Sequence, residues 1–177
     1  MERSHQTSAV DATRGAPAVH IRPLGAGDRD GLAALFARLS PDSRYRRFMS
    51  PKPRLSDGEL TYLTDIDHVR HEALAAVDRG DESIVGVARY VQCSDLADAA
   101  DVAIEVADDV QGRGIGRVLA QALVQRAHEN GVGVLRATVL WENRAARALV
   151  RRLGFRARGS QGAEIELELL LPGGSEA

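Results

Sequence analysis

Residues 111–116 read Gln-Gly-Arg-Gly-Ile-Gly and stand between a short apolar strand pattern, Val102 to Val106, and an amphipathic helical one. Glycines at alternate positions let the backbone approach a ligand closely. Where such a turn opens a helix, consecutive N–H groups point into one concavity at the positive end of the helix dipole. The chemistry this suits is binding of a phosphate or pyrophosphate, with Arg113 and Arg117 adding positive charge on either side. A second set of residues could move protons. Asp101 and Glu105 lie on the strand before the loop, and alternation puts residues 101, 103 and 105 on one face. Four residues at ~3.3 Å each separate the two acids by about 13 Å, too far to share one proton. Glu72, on a neighbouring strand pattern, is a further acid.

Three types of phosphate site compete for the loop. A dinucleotide fold requires G-x-G-x-x-G/A. Counting from Gly112 ends on Arg117 and from Gly114 on Leu119, so neither register fits. A Walker A loop requires Gly-Lys-Ser/Thr, and none follows. A bare strand-to-helix turn needs fewer glycines and no flanking arginines.

Positioning these residues takes a mixed sheet. Val19–Leu24 reads as a strand, Asp28 as the cap of a helix to about Leu39, and Asp42–Met49 as a second helix with Tyr45 and Phe48 on a core stripe and its arginines Arg44, Arg46 and Arg47 in solvent or bordering a cofactor or substrate. Ser56 with Glu59 forms a capping box for a short helix carrying Leu60 and Leu63. Glu72–Asp78 and Ile84–Gln92 form a hairpin about Arg79-Gly80-Asp81-Glu82. A strand at 101–107 follows a polar loop, then a helix to about Asn130, a strand from Val132 to Leu140, and a helix from Asn143 to Leu153 stopped by Gly154. Phe155–Arg158 and Ala163–Leu171 close the chain, the latter alternating Glu164, Glu166 and Glu168 outward with Ile165, Leu167 and Leu169 inward. The order implies an α/β (α+β) fold: one domain with a central mixed, mostly antiparallel sheet flanked by helices. Residues 1–18 read as a flexible arm, 19–172 as the domain and 173–177 as a tail.

Composition narrows the class. The 177 residues are 44% hydrophobic and 4% aromatic, so a single core of Ala, Val, Leu and Ile is expected. A net charge of −2 gives no footprint for nucleic acid or an anionic membrane. No stretch reaches the ~18 apolar residues of a membrane span. Cys93 is the sole cysteine, which excludes an internal disulfide and suits the cytoplasm. His68 and His71 beside Asp65 and Asp67 are read as ordinary loop residues, and no metal is expected.

The loop resembles the Q/R-x-x-G-x-G/A pyrophosphate loop of the GNAT superfamily of acyl-CoA-dependent N-acyltransferases. Trp141-Glu142-Asn143-Arg144 followed by Arg151-Arg152-Leu153-Gly154-Phe155 is similar to the family's downstream Asn and Leu-Gly-Phe segment, and Ile21-Arg22-Pro23-Leu24 with Asp28 to its first strand and helix start. Leu39-Ser40-Pro41-Asp42-Ser43-Arg44-Tyr45-Arg46-Arg47-Phe48 is similar to a segment of bacterial protein lysine acetyltransferase (Pat-like) catalytic domains. The resemblance implies acetyl-CoA as co-substrate and a primary amine as acceptor, a protein lysine being favoured over a small amine. A non-catalytic acyl-CoA sensor is the reading from another class, and a homodimer is compatible with the family.

The resemblance also implies roles. Gln111, Gly112, Arg113, Gly114, Ile115, Gly116 and Arg117 would hold the pyrophosphate. The backbone around Val106 would pair with the pantetheine arm, and an N–H near Ile104 would face the oxyanion. The strand must splay or bulge for this, with Ala107-Asp108-Asp109 as the expected place. Asn143 would orient the cofactor, cap its helix, or both. Asp101 matches a position where the family's lysine acetyltransferases place a glutamate, whereas Glu105 lies nearer the expected thioester. Either could relay the proton of an ammonium with a pKa near ~10.4. Val150 stands where many members carry a general-acid tyrosine; a thiol with a pKa near ~8.5 can leave without one.

Overall fold

The computed structural model describes residues 19–172 apart from Asp95 and Ala97, so the expected arm and tail lie outside the described residues. In chain order the elements are β1 (Val19–Pro23), α1 (Arg29–Ala37), α2 (Pro41–Phe48), α3 (Asp57–Thr64), β2 (His71–Asp78), β3 (Ile84–Gln92), β4 (Ala99–Val106), α4 (Ile115–Glu129), β5 (Val134–Leu140), α5 (Arg144–Arg152), β6 (Arg156–Gln161) and β7 (Glu164–Leu170). The strands form one seven-stranded sheet in the order β1-β2-β3-β4-β5-β7-β6. Every neighbouring pair is antiparallel except β4 and β5. The mixed, mostly antiparallel sheet is therefore as expected.

Helices cover both faces. Arg47 of α2 reaches Glu105, and Leu63 of α3 accepts from Arg89, so α2 and α3 lie over the face that carries the odd-numbered side chains of β4. On the opposite face α4 runs along β2 and β3, with Leu119 against Gly86 and Arg126 against Glu72. Gly86 is required there. A Cβ at this position would stand 3.0 Å from both the Leu119 side chain and the Glu105 carbonyl. The core is the expected aliphatic one, with Leu24, Leu32, Leu35, Leu119, Leu123 and Leu135 nearly or fully buried.

Local chemistry accounts for most element ends. Ser56 accepts from Glu59 N–H at 3.3 Å while the Glu59 carboxylate accepts from Ser56 N–H at 2.8 Å, completing the capping box. Asn143 accepts from Ala146 N–H at 3.1 Å and caps α5.

Other details depart from the sequence reading. Asp28 makes no capping bond to α1, because a 3-10 turn over Ala26–Asp28 precedes the helix. Its carboxylate turns back to clamp Arg22 at 2.6 and 2.8 Å and the Gly25 N–H at 2.9 Å. The α2 stripe is only half kept: Phe48 packs edge-on against the Phe36 ring, with centroids 5.7 Å apart. Tyr45 is exposed, Arg44 stacks 4.6 Å over the Phe36 ring, and Arg47 turns inward. The aromatic and carboxylate partners of α1 and β4 hold these guanidiniums better than water does. Finally, β6 is exposed throughout, an edge strand outside the core.

Candidate active site

The site begins where two strands part. Parallel pairing of β4 and β5 covers only Ala99–Val134, Ala100–Leu135 and Asp101–Arg136. Beyond Asp101 the strands diverge, although β4 stays in unbroken register with β3 up to Val106. The opening thus starts at Asp101 and not at Ala107–Asp109, where the chain forms a 3-10 turn over Asp108–Val110. In an antiparallel ladder alternate residues turn their N–H and C=O to the partner. Ala107 N–H bonds Val85, so even-numbered residues turn their peptide groups toward β5; the Val102 N–H still completes the last rung at Arg136, and the groups of Ile104 and Val106 face the opening. One is engaged from within: Gln111 Nε2 donates to the Val106 carbonyl at 3.0 Å and to Asp108 at 2.9 Å.

The glycine loop closes the wide end. Gly112 and Gly114 have φ of +77° and +86°, the left-handed region where a side chain would be strained. Gly116 is helical, and Leu149 of α5 and Val106 of β4 pack beside it, where a Cβ would meet each in ordinary contact at 3.7 Å. Gly114 caps α4 by position. No acceptor for the N–H groups of residues 112–116 occurs among the described residues, so they stand ready for a ligand at the helix's positive end.

A long cleft of about 560 Å³ runs from this loop between β4, β5 and α5. Ile104, Val106, Gln111, Gly112, Gly114, Ile115, Gly116, Arg117 and Asn143 all line it. Arg113 does not; its guanidinium folds back onto the Asp109 carbonyl at 3.3 Å. Val150 is buried and lines the same cleft, so an aliphatic side chain occupies the place where the resemblance implies a phenol.

A side cleft of about 480 Å³ meets the long one. Arg47, Val102, Ala103 and Thr138 line both, and the side cleft adds Tyr62, Arg89, Asp101 and Arg136. The two acids of β4 are divided by it. Asp101 borders the side cleft with its side chain 65% exposed, and accepts from Arg136 Nε at 3.1 Å. Glu105 lines neither cleft, is 8% exposed and is ion-paired with Arg47. Glu72 is on the other face, held by Arg126 and His68, away from both clefts.

One arginine of the site, Arg89, escaped the sequence reading, and another, Arg47, was placed at its border but not on a carboxylate. Arg89 interrupts the apolar run of β3, and a lone cation in a strand otherwise buried was a signal for a built polar site. Arg89 Nη1 donates to the Leu63 carbonyl at 3.0 Å and to His71 Nε2 at 3.1 Å. Burial, with the positive charge of Arg89 beside it, lowers the His71 pKa to about 4. At the rim, Lys52 and Ser56 hold the Glu59 carboxyl down at about 2. Among the described residues no cluster of His, Cys, Asp or Glu could hold a metal ion, and no helix is long and apolar enough to cross a membrane.

Comparison with known proteins agrees with this architecture. The model of the acetyltransferase (GNAT) family matches residues 35–155. An acetyltransferase of Pseudomonas aeruginosa is 34% identical over 157 residues, 88% of this chain and 82% of its own. The acetyltransferase Pat of Mycolicibacterium smegmatis is 34% identical over 135 residues, 76% of this chain, which spans only 40% of that relative. Among solved structures, the GNAT domain of Streptomyces lividans (S. lividans) PAT superposes with a TM-score of 0.80 at 28% identity, over 86% of this chain and 90% of that one. The opened sheet, the glycine loop at its end and these relatives lead to one conclusion: the chain belongs to the GNAT acetyltransferase family and is an acyltransferase with that single-domain fold.

Proposed function

We propose that the protein transfers the acetyl group of acetyl-CoA to a primary amine by direct attack on the thioester, with no covalent enzyme intermediate. The observation that carries this is the junction of the clefts. The opening ends at free N–H groups suited to a pyrophosphate, and its other end meets a polar side cleft at Val102, Ala103 and Thr138. In this reading the N–H groups of residues 112–116 hold the pyrophosphate, aided by Arg117. The outward N–H of Val106, whose carbonyl Gln111 already holds, and the backbone around it pair with the pantetheine arm as an added strand does. The Ile104 N–H then faces the oxyanion that develops on attack.

The proton has one well-placed destination. Asp101 borders the side cleft and stays open to water beside its partner Arg136, whereas Glu105 is shielded from water against Arg47. We assign Asp101 as the acceptor of the ammonium proton, directly or through water, before attack. Val150 offers no proton to the departing thiolate, which leaves unassisted. Asn143 serves as a helix cap, and its place in the cleft wall lets it orient the bound cofactor as well.

A protein lysine needs a channel for its methylenes and no counter-charge. A small amine bearing its own anion needs a cation, and the side cleft presents Arg89. The test of the shared reaction is thiol release from acetyl-CoA with a panel of amines and peptides. Asp101→Ala should lower kcat about 100-fold while leaving acetyl-CoA affinity unchanged. The same loss in Glu105→Ala but not in Asp101→Ala would reverse the assignment. Tight acetyl-CoA binding without turnover on any amine would favour the sensor instead.

A further inference from the structure

Arg89 is 3% exposed, and its donors are unevenly used. Nη1 serves Leu63 and His71, whereas Nε and Nη2 are buried with no hydrogen-bond partner. Those two nitrogens form one edge of the guanidinium, the pair of parallel donors that matches both oxygens of a carboxylate. Leaving such an edge unpaired in a protein interior is costly, and it is rare outside functional sites.

The charges around it do not balance. Glu105 faces both Arg89 and Arg47 but is ion-paired with Arg47. His71 accepts a hydrogen bond from Arg89 and is therefore neutral on that nitrogen. Two guanidiniums thus share one buried carboxylate, and the surplus charge adjoins the side cleft, which Arg89 lines. Arg89 is directly opposite Ala103 in the β3–β4 register, between the positions of Asp101 and Glu105. Ala103 also lines the long cleft, so the strand position opposite Arg89 lies where the two clefts join.

We infer that the Nε/Nη2 edge of Arg89 is the carboxylate anchor of the acceptor site, and that the acceptor is a small amino-carboxylate such as a free amino acid. This rests on the acetyl-transfer reading and narrows its acceptor. A lysine within a protein carries no carboxylate near its ε-amine and leaves the anchor unused. A free amino acid satisfies both ends of the site: its carboxylate completes Arg89, and its ammonium points to the β4 edge beside Asp101.

The test compares each standard L-amino acid with its primary amide, and with a lysine-containing peptide, as acceptors for the wild-type protein and acetyl-CoA. At least one amino acid should exceed its amide about 10- to 100-fold in kcat/KM, the difference residing in KM. Arg89→Met should erase that preference while the KM for acetyl-CoA stays unchanged, and Arg89→Lys should keep part of it. Calorimetric titration of the preferred amino acid into wild-type protein saturated with CoA reads the anchor without turnover. Equal use of acid and amide, or acetylation of the lysine peptide with no amino acid bound, would overturn the inference. These wild-type comparisons stand even if Arg89→Met fails to fold. Amino-acid binding without transfer to any amine would instead keep the anchor and sink the acetyltransferase reading.

Discussion

Two buried glutamates, Glu72 and Glu105, lie on opposite faces of the same sheet, each held by an arginine from a helix. Glu72 is complete. One oxygen takes His68 Nδ1 at 2.7 Å and the Ala73 N–H at 2.9 Å, and the other takes Arg126 at 2.9 and 3.0 Å. Asn130 extends the network by donating to Tyr90 and to the His68 carbonyl. Glu105 has Arg47 as its ion-pair partner, with Arg89 beside it still holding two unpaired donors. A satisfied buried network fixes one conformation; an unsatisfied one is held open for something else. The first joins α4 to β2, and the second borders the side cleft.

The largest expected effect comes from breaking the complete network. Glu72→Ala strands the Ala73 N–H and frees Arg126 and His68, costing about 2–4 kcal/mol. In a chain of this size the thermal midpoint should fall by roughly 5–15 °C in calorimetry, with acetyl-CoA affinity of the folded protein unchanged. Glu105→Gln should cost less, about 1–3 kcal/mol. It should also tighten binding of an amino-carboxylate measured by titration, because the counter-charge of Arg47 and Arg89 is gone. A tightening in the Glu72 variant as well would erase the distinction between the two faces.

Acid should act on the Glu105 face. His71 has its pKa lowered from 6.5 to about 4, so below pH 6.5 the unfolded chain binds the proton that the folded one refuses. Its contribution to stability is complete above about 6.5 and is lost progressively as the pH falls to about 4. Denaturant midpoints measured across that window should flatten in His71→Gln. The smallest effect is expected at Asn143→Ala, where loss of the α5 cap costs about 1 kcal/mol. An accompanying rise in the KM for acetyl-CoA would show that Asn143 orients the cofactor as well as capping the helix.

Local rules made the glycine loop, the capping box at Ser56 and the cap at Asn143 legible, because each depends on a handful of neighbouring residues. The place where β4 leaves β5 was not: the resemblance implied a splay at Ala107–Asp109, and nothing in Val102–Val106 says that the partner leaves earlier. The helix face of α2 was misread for the same reason: Arg44 and Arg47 look solvated until Phe36 and Glu105 are brought beneath them. Asp101 and Glu105 were indistinguishable by alternation, which assigns a face but not a neighbour. Arg89 was visible as an anomaly in an apolar strand, and only the fold shows which of its donors are left over.

Sheets normally confine open edges to their two outermost strands, yet this one carries a further edge in its interior. Beyond the last rung it shares with β5, at Ile104 and Val106, β4 presents outward peptide groups that no strand takes up. Such an edge can be completed only by a guest that supplies its own amides, and whatever lies there becomes part of the sheet's hydrogen-bond ladder. Amide deuterium exchange should therefore be fast at Ile104, despite its central place in the fold, and should slow on binding. In the acetyl-transfer reading proposed above, the free energy of binding is then also free energy of folding, because the co-substrate's own amides would fill the gap.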